Sequence, residues 1–533
     1  MRHTELARVD IAIFVAYILA VLALGLIAVR RMGSSKRDYF LAGDKLPWWM
    51  IGGSIIAANL SSHQFVGMTG AAYNRGFVVV CAEWGAILAG FNALLWIFLP
   101  YYLREGFYTM PEFLQRRYGN AARTAYGILI ILIYVFIEIS AVLFLGAMAL
   151  HELLGMPMMG SIILLAALTA VYTITGGLRA VVWTEMLQLG VLLIGGMTLS
   201  VMALRAVGGW SALYATSSNW HILPPANDPD FPWTQNLGGG IAVSVFYCAT
   251  NQFIVQRVLA AKSEWHARTG VVAAQYVKLF LPIMTVVPGL CAAQLYPGLA
   301  RPDLAFPTLV ENLLPTGLVG LVMAGLIAAI MSHVSGALNS CSTIAAMDFY
   351  MPFFRGKASD RDAIRFGKIV GIVVVILGIF WAGVLIRYSD RPIFIYLMNA
   401  YGFFAPGIAT MFLLGIFWKR ATHAGALTAG ALTVPLSIAV ERIALLFPHN
   451  IGQYLTPFAN RTGIVWVLCM LACIVVSLFT KPKSEEDLKG LIWTPSSVFL
   501  PKEQRAQMRG LRNPAAWWAL VTAIVLFMYI RFH

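Results

Sequence analysis

The stretch "AANLSSHQFVGMTG", Ala57 to Gly70, decides how this sequence is interpreted. It lies in an apolar run that begins near Trp48, yet its middle is crowded by five polar side chains: Asn59, Ser61, Ser62, His63 and Gln64. Such a run is a poor lipid-facing helix, because unpaired polar groups are costly in hydrocarbon. Irregular backbone is tolerated at membrane depth where it lines a water-filled cavity. The stretch therefore predicts a helix that is interrupted inside a membrane and lines a polar cavity.

The composition around this stretch is that of an integral membrane protein. The chain has 533 residues, of which 59% are hydrophobic and 12% charged, and its mean hydropathy is +0.75. Soluble domains carry about 25% charged residues. We expect an all-α fold, one polytopic domain over residues 1–533, with about fourteen apolar runs long enough to cross a bilayer. They lie near 9–31, 48–73, 77–102, 124–151, 157–175, 182–206, 239–260, 268–296, 313–347, 364–387, 393–418, 421–443, 462–480 and 513–531.

The net charge of +14 would suggest a nucleic-acid partner until the charges are placed along the chain. With the N-terminus outside, most of the 38 Lys and Arg residues fall on the inner faces, as the positive-inside rule requires. We therefore expect a multi-pass protein of the cell (inner) membrane with both termini outside. The loop 207–238 is then extracellular, and the linker 481–512 is cytoplasmic. The bilayer is the expected partner, and neither a nucleic acid nor an obligate protein partner is indicated.

Ionisable residues inside predicted spans are the first candidates for a functional site. Glu83 and Lys278 lie far from the ends of their spans, which favours a polar cavity over a structural ion pair. For Glu138 and His63 the two interpretations are equally supported. The positions near helix ends, interpreted as interfacial, are Arg179, Glu185 and Asp348.

Two further polar stretches interrupt apolar runs: "FYCATNQF", residues 246–253, and "MSHVSGALNSCST", residues 331–343. Close packing between helices also explains Ser and Gly in the second stretch. The sequence lacks the His-Glu-x-x-His, Gly-x-Ser-x-Gly and Walker A patterns, so neither an enzyme nor an ATP-driven pump is indicated. A transporter or channel remains, and uphill transport would depend on an ion gradient.

Long motifs in order along the chain resemble the sodium/solute symporter family, in its bacterial sodium/glucose cotransporter branch. They include "DYFLAGDKLPWW" (38–49), "IIAANLSSHQFVGMTG" (55–70), "TGGLRAVVWTEMLQ" (175–188), "NQFIVQRVLAAKS" (251–263) and "LNSCSTIAAMDFY" (338–350). The resemblance implies the five-plus-five inverted-repeat fold of the leucine transporter. The repeats would be residues 48–206 and 239–443, and the peripheral helices 9–31, 462–480 and 513–531.

The resemblance also implies a sodium site. Its ligands would be the carbonyl groups of Ala57, Leu60 and Ala329 and the hydroxyl groups at positions 332 and 333. Ser332 fits this pattern, whereas His333 stands where the family has Ser or Thr. Imidazole nitrogen is a poor ligand for a hard cation. Either Na⁺ is bound by the four remaining oxygens, with or without water, or His333 titrates and protons are coupled instead.

The resemblance further implies a sugar site in which the polar groups of Asn59, Gln64, Glu83 and Lys278 hold hydroxyl groups. Tyr247 would close the site from beneath, and the outer apolar gate would consist of Met68 and Phe394.

Four positions depart from the family pattern, and they put the identity of the substrate in doubt. Ala82 replaces a gate Tyr, Ala86 a Ser, Ser244 an Asn, and Met398 a Gln; Asn399 is adjacent to Met398 and is the candidate to compensate. The sequence thus predicts a Na⁺-coupled symporter for a sugar or similar polyol. The alternatives are a symporter for another small solute such as a carboxylate or nucleoside, a proton-coupled variant, and a solute sensor that does not transport.

Overall fold

The computed structural model describes residues 7–30, 35–217, 220–354, 358–388, 393–449 and 451–533, with only the backbone described for 386–388 and 393–396. In these ranges the chain is helical, and an isolated β-bridge pairs Leu46 with Ala261. The six cysteines are all buried and free, which agrees with their position in apolar runs. The predicted all-α membrane fold is confirmed.

The membrane-crossing segments that follow α1 contain short, interrupted helices. After α1 (Arg8–Arg30) and α2 (Lys36–Leu41), α3 runs from Trp48 to Asn59 and ends where Leu60 takes an extended conformation. A π-helical turn and α4 (Thr69–Arg75) complete this crossing. The return crossing comprises α5 (Val80–Ala86), two π-helical turns, and α6 (Leu99–Arg104).

Longer helices follow. α7 (Met110–Tyr118) lies between crossings, and α8 (Asn120–Ile133) continues through a π-helical turn, Tyr134–Ile139, into α9 (Ser140–Leu154). α10 (Met158–Ala206) has 49 residues and bends at Gly177, whose φ of +53° suits glycine. The Tyr39 carbonyl oxygen would lie 2.3 Å from a Cβ at Gly177, so the bend also brings two backbones together.

The second half of the chain starts with α11 (Trp210–Thr216), α12 (Gly239–Val245), α13 (Gln252–Leu259) and α14 (Glu264–Leu295). It continues with α15 (Ala305–Leu313), α16 (Leu318–Ile344), α17 (Met351–Phe353) and α18 (Asp360–Tyr388). The remaining helices are α19 (Ile393–Phe417), α20 (His423–Leu446), α21 (Gly452–Leu455), α22 (Phe458–Phe479) and α23 (Pro514–Arg531).

Eleven helices of the described chain are long and apolar enough to cross a membrane, against the predicted fourteen. The difference has a structural origin. Two predicted spans join in α10, two more join across the turn at Gly76, and the span at 239–260 is divided into short helices. Every predicted span coincides with helical structure, while the count of fourteen crossings stays a prediction.

The two predicted repeats begin with helices that break in the same way. Leu60 follows α3 with φ −81° and ψ 118°, and Asn251 precedes α13 with φ −82° and ψ 122°. An inverted repeat would place such breaks in corresponding positions of the two halves. The repeat boundaries themselves stay a prediction.

The loop 207–238 and the linker 481–512 each contact the end of a membrane helix. On one side, the amide of Ile222 donates to the carbonyl oxygen of Phe532 at 2.9 Å. On the other, the amide of Trp493 in the linker donates to the carbonyl oxygen of Ile416 at 2.9 Å. The loop 207–238 and the C-terminal end of α23 therefore lie together, opposite the linker.

Candidate functional site

The break in α3 frees a backbone carbonyl group. In an uninterrupted helix the amide of Ser61 would donate to the carbonyl oxygen of Ala57. Here it donates to Gln64 Oε1 at 3.0 Å instead. The Ala57 oxygen accepts from the hydroxyl of Ser332 on α16, at 2.6 Å. The polar residues of the opening stretch thus satisfy the break locally and turn one carbonyl group towards α16.

The break before α13 is stabilised by tyrosine hydroxyl groups. The carbonyl oxygen of Ala249 accepts from Tyr102 at 2.9 Å, and that of Thr250 from Tyr126 at 2.6 Å. The side chain of Asn251 caps α13 by accepting from the amide of Phe253. Burial of unsatisfied carbonyl groups is expensive, so these tyrosines allow a short interrupted helix inside the bundle.

A cavity of about 70 Å³ lies between the two breaks. Its lining includes five predicted substrate-binding residues and Tyr247, which is also a predicted gate residue. The lining residues are Asn59, His63, Gln64, Ala82, Glu83, Ala86, Val243, Ser244, Tyr247, Cys248, Lys278, Met398 and Tyr401. The structure therefore places predicted residues from four distant parts of the sequence around one cavity, the inner cavity.

The charges of the inner cavity cancel. Lys278 Nζ forms a close ion pair with Glu83 and donates to Asn59 Oδ1 at 2.7 Å. Glu83 and Lys278 are each 3% exposed. Pairing is what makes two buried charges tolerable, and removing one partner would leave the other uncompensated. The pair offers ammonium donors and carboxylate acceptors to a bound solute.

Gln64 and Tyr247 complete the polar surface. Gln64 Oε1 is committed to the amide and hydroxyl of Ser61, so its amide nitrogen is the end that can donate to a solute. The ring of Tyr247 packs against Tyr401 with ring centroids 5.7 Å apart. Two aromatic faces therefore form one wall of the inner cavity.

A larger outer cavity of about 490 Å³ adjoins the inner one. The two share Ala82, Val243, Ser244 and Met398, three of which depart from the family pattern. Leu223 and Phe231 of the loop 207–238 also line the outer cavity. Ala82 thus lies at the boundary between the inner and outer cavities. It stands at the position where the resemblance implies a gate tyrosine.

The remaining predicted gate and substrate residues lie elsewhere. Met68 is fully buried in the π-helical turn between α3 and α4 and lines neither cavity. The side chain of Phe394 is outside the described part of the chain. Asn399 is not in the lining of the inner cavity, and its Oδ1 accepts from Arg461 at 3.2 Å. A helix turns about 100° per residue, so the neighbour of Met398 faces another direction.

Three predicted sodium ligands come together. The Ser332 hydroxyl lies 2.6 Å from the carbonyl oxygen of Ala57 and 3.0 Å from that of Ala329. These are hard oxygen donors, which suit Na⁺. Leu60, the fourth, lies at the break itself. The donor set fits a small hard cation between α3 and α16.

His333 is engaged by other partners. Its Nδ1 lies 2.9 Å from the carbonyl oxygen of Ala58, and its Nε2 lies 2.8 Å from Glu138 Oε2. Both ring nitrogens are therefore committed, and neither is offered to a cation. This geometry does not support the assignment of His333 as a sodium ligand.

Sequence reasoning missed two buried ion pairs. Glu185 and Asp348, which the sequence places near helix ends, are both buried in the protein, and their interfacial position stays a prediction. Arg257 Nη2 lies 2.5 Å from Glu185 Oε1, and Arg123 Nε lies 2.8 Å from Asp348 Oδ1. The partners are 72 and 225 residues apart in sequence, so no local pattern could pair them.

Interrupted membrane helices around a small polar cavity, with hard oxygen donors beside it, define the class of secondary transporters. The model of the "Sodium:solute symporter family" matches residues 39–433 of the chain. The chain belongs to this family.

Curated relatives extend over nearly the whole sequence. A sodium/glucose cotransporter of Vibrio parahaemolyticus is 33% identical, with 98% of each chain covered. Sodium/glucose cotransporter 1 of Oryctolagus cuniculus is 33% identical over 94% of this chain and 82% of its own. The human sodium/myo-inositol cotransporter is 31% identical over 94% and 78%.

Two solved structures share the fold. A Na⁺-coupled sialic acid symporter in a substrate-bound outward-open state has a TM-score of 0.76 and 22% identity, covering 90% of this chain and 99% of its own. A nucleobase-cation-symport-1 family transporter in a closed conformation has a TM-score of 0.55 and 14% identity, covering 86% and 98%.

Proposed function

We propose that this protein is a symporter that couples inward Na⁺ movement to uptake of a sugar or similar polyol by alternating access. The observation that carries the proposal is that the solute site and the ion site meet at the α3 break. Asn59 contacts Lys278 in the inner cavity, and Ala57, two residues earlier, contacts Ser332 on α16. A cation bound between α3 and α16 would order the same backbone that presents Asn59 and Gln64 to the solute.

The substrate class follows from the polar groups and from the relatives. An ammonium, a carboxylate and two amides provide donors and acceptors suited to several hydroxyl groups. Curated relatives are cotransporters of glucose and of myo-inositol. Since the fixed charges of the cavity cancel, a neutral polyol is favoured over a carboxylate.

Uptake into proteoliposomes tests the proposal. We expect accumulation of labelled glucose or myo-inositol under an inward Na⁺ gradient, and none when choline replaces Na⁺. A panel of unlabelled carboxylates and nucleosides as competitors would reveal another substrate class. Saturable binding without accumulation would indicate a sensor, and uptake that follows a pH gradient instead of Na⁺ would replace sodium by proton coupling.

The Ser332→Ala variant tests the ion site separately. It removes a ligand hydroxyl, so we expect Na⁺ dependence of uptake to be lost. Ser335→Ala is the matched control, because it removes a hydroxyl from the same helix that is not a proposed Na⁺ ligand and that donates to the carbonyl oxygen of Ser332 at 2.9 Å. Equal Na⁺ dependence in both variants would contradict the proposed ion site.

A further inference from the structure

One imidazole ring links three helices beside the proposed ion site. His333 on α16 contacts the carbonyl oxygen of Ala58 at the end of α3 and the carboxyl group of Glu138, in the turn between α8 and α9. His333 is fully buried, and Glu138 is 2% exposed. The ring is also packed against Phe253 and His63, with ring centroids 4.8 Å and 5.6 Å away. These contacts fix its orientation.

The hydrogen-bond partners determine where the protons lie. A carbonyl oxygen only accepts, so His333 Nδ1 must carry the hydrogen that binds Ala58. The contact between Nε2 and Glu138 then holds one further proton, on either the ring or the carboxyl group. In both cases the pair has no net charge, and no nitrogen lone pair faces the ion site.

Adjacent residues of α16 therefore hold adjacent carbonyl groups of α3. Ser332 donates to Ala57, and His333 donates to Ala58. The first contact joins groups that are themselves proposed Na⁺ ligands. The second uses the side chain that stands where the family has a hydroxyl ligand, and it needs no cation.

We propose that Glu138 is a positioning residue of the ion site. Through His333 it maintains a hydrogen-bonded bridge, Glu138–His333–Ala58, that holds the broken end of α3 against α16 whether or not Na⁺ is bound. The bridge holds the carbonyl ligands in place before Na⁺ binds. It does so in a site that has one hydroxyl ligand fewer than the family pattern. This inference rests on the proposed Na⁺ coupling and adds to it a residue that the sodium-site pattern does not include.

The bridge predicts how substitutions at position 138 affect Na⁺ affinity. In Glu138→Leu the ring loses the partner that fixes it, and Na⁺ must order the end of α3 alone. Losing the net contribution of one hydrogen bond corresponds to about fivefold weaker Na⁺ binding. Glu138→Gln retains the bridge, because its amide can donate to Nε2 of a neutral ring whose Nδ1 still binds Ala58.

The experiment is a Na⁺ titration of the purified full-length protein, with thermal unfolding as the readout and choline chloride keeping ionic strength constant. Stabilisation by a ligand that binds only the native state reports its affinity without transport. Ser140→Ala is the matched control, since its hydroxyl bonds only within its own helix segment, to Phe136 at 2.8 Å. Should Glu138→Leu not be recovered folded, Glu138→Ala and His333→Asn replace it.

We expect Na⁺ affinity near that of the wild type in Glu138→Gln and Ser140→Ala, and about fivefold weaker in Glu138→Leu. Unchanged affinity in Glu138→Leu would overturn the bridge while leaving Na⁺ coupling intact. Equal weakening in Glu138→Gln and Glu138→Leu would also overturn it, because the charge rather than the hydrogen bond would then matter. A wild-type protein without any Na⁺-specific shift would refute the proposed coupling, and the bridge with it.

Discussion

The ion pair of Glu83 and Lys278 is the part of the inner cavity where a single substitution has two separable effects. Each side chain contributes polar atoms to the cavity, and each neutralises the other in a place of low dielectric constant. Stability and solute binding therefore depend on the same two groups for different reasons. Variants at one or both positions can distinguish these contributions.

We expect Lys278→Ala to abolish uptake and to lower the free energy of unfolding by about 3–5 kcal/mol, because Glu83 is left buried without its partner. Adding Glu83→Gln should restore most of the stability and none of the uptake. Thermal unfolding and proteoliposome uptake measure the two effects. Gln64→Ala is the comparison that carries no charge change: it should lose uptake and cost only about 1–3 kcal/mol of stability, because the buried amide of Ser61 loses its acceptor. Wild-type uptake in the double variant would show that the pair does not contact the solute.

The sequence predicted the irregular backbone where a motif contained it, but it could not assign residues whose partners are remote in sequence. The stretch 57–70 predicted the α3 break, and the structure has it at Leu60. Glu138 could not be assigned, because His333, its partner, is 195 residues away. The hydrogen bond that the Ser61 amide donates to Gln64 Oε1 also could not be predicted from the sequence, since it depends on the side-chain conformation at the break.

The bend of α10 at Gly177 depends on a backbone conformation that only glycine adopts easily, and a substitution there tests it. Gly177→Ala forces a Cβ into a positive-φ position and against the Tyr39 carbonyl oxygen. Strain of this kind costs roughly 1–3 kcal/mol, so we expect a lower midpoint of thermal unfolding. Gly190→Ala on the same helix meets nothing within 4 Å and should be neutral or slightly stabilising. Equal midpoints for the two variants would contradict the bend.

The loop 207–238 has a pH-sensitive anchor at Asp228. Burial raises the pKa of this carboxyl group. The amides of Phe231 and Asp230 and the guanidinium of Arg75 together lower it by more than burial raises it, so the pKa of Asp228 is below its usual value. A lowered folded-state pKa stabilises the loop above the unfolded pKa of about 4, and this stabilisation is lost as the pH falls through the folded value. Arg75 Nη2 lies 2.6 Å from Asp228 Oδ1.

We therefore expect faster amide hydrogen exchange at residues 228–231 in Asp228→Asn than in the wild type at pH 7. The difference should begin to shrink as the pH falls below the unfolded pKa of about 4, and it should vanish once the pH is below the lowered folded-state pKa, where the wild-type carboxyl group is protonated in the folded loop as well. Measured rates must first be corrected for the intrinsic pH dependence of exchange. A difference that persists unchanged at acidic pH would mean that the charge of Asp228 does not anchor the loop.

At the scale of the whole molecule, the orientation in the membrane is the principal prediction that awaits a test. Both termini and the loop 207–238 are expected outside, and the linker 481–512 inside. A membrane-impermeant thiol reagent applied to intact cells should label Ser217→Cys and leave Ser484→Cys unlabelled until the cells are opened. The six native cysteines are buried and give little background. Labelling of position 484 from outside would reverse the orientation.

Most of the fold follows from hydropathy, because a bilayer admits so few alternatives to a long apolar helix. The number of crossings does not follow as simply. Two predicted spans meet at the bend of α10 at Gly177, where the backbone is not helical, and the break at Asn251 divides another span. Both depend on tertiary contacts, so the sequence alone could locate the apolar segments but not decide where one crossing ends.

The cancelled charges of the inner cavity have an electrical consequence. If Glu83 and Lys278 remain paired throughout the cycle, the protein itself contributes no net charge to the site as it is exposed alternately to the two sides. Each turnover with a neutral solute then moves one elementary charge per Na⁺, and the cycle generates a current. A membrane potential of 100 mV supplies about 2.3 kcal/mol per charge. This raises the attainable accumulation about fiftyfold for each ion, before any contribution from the Na⁺ concentration gradient.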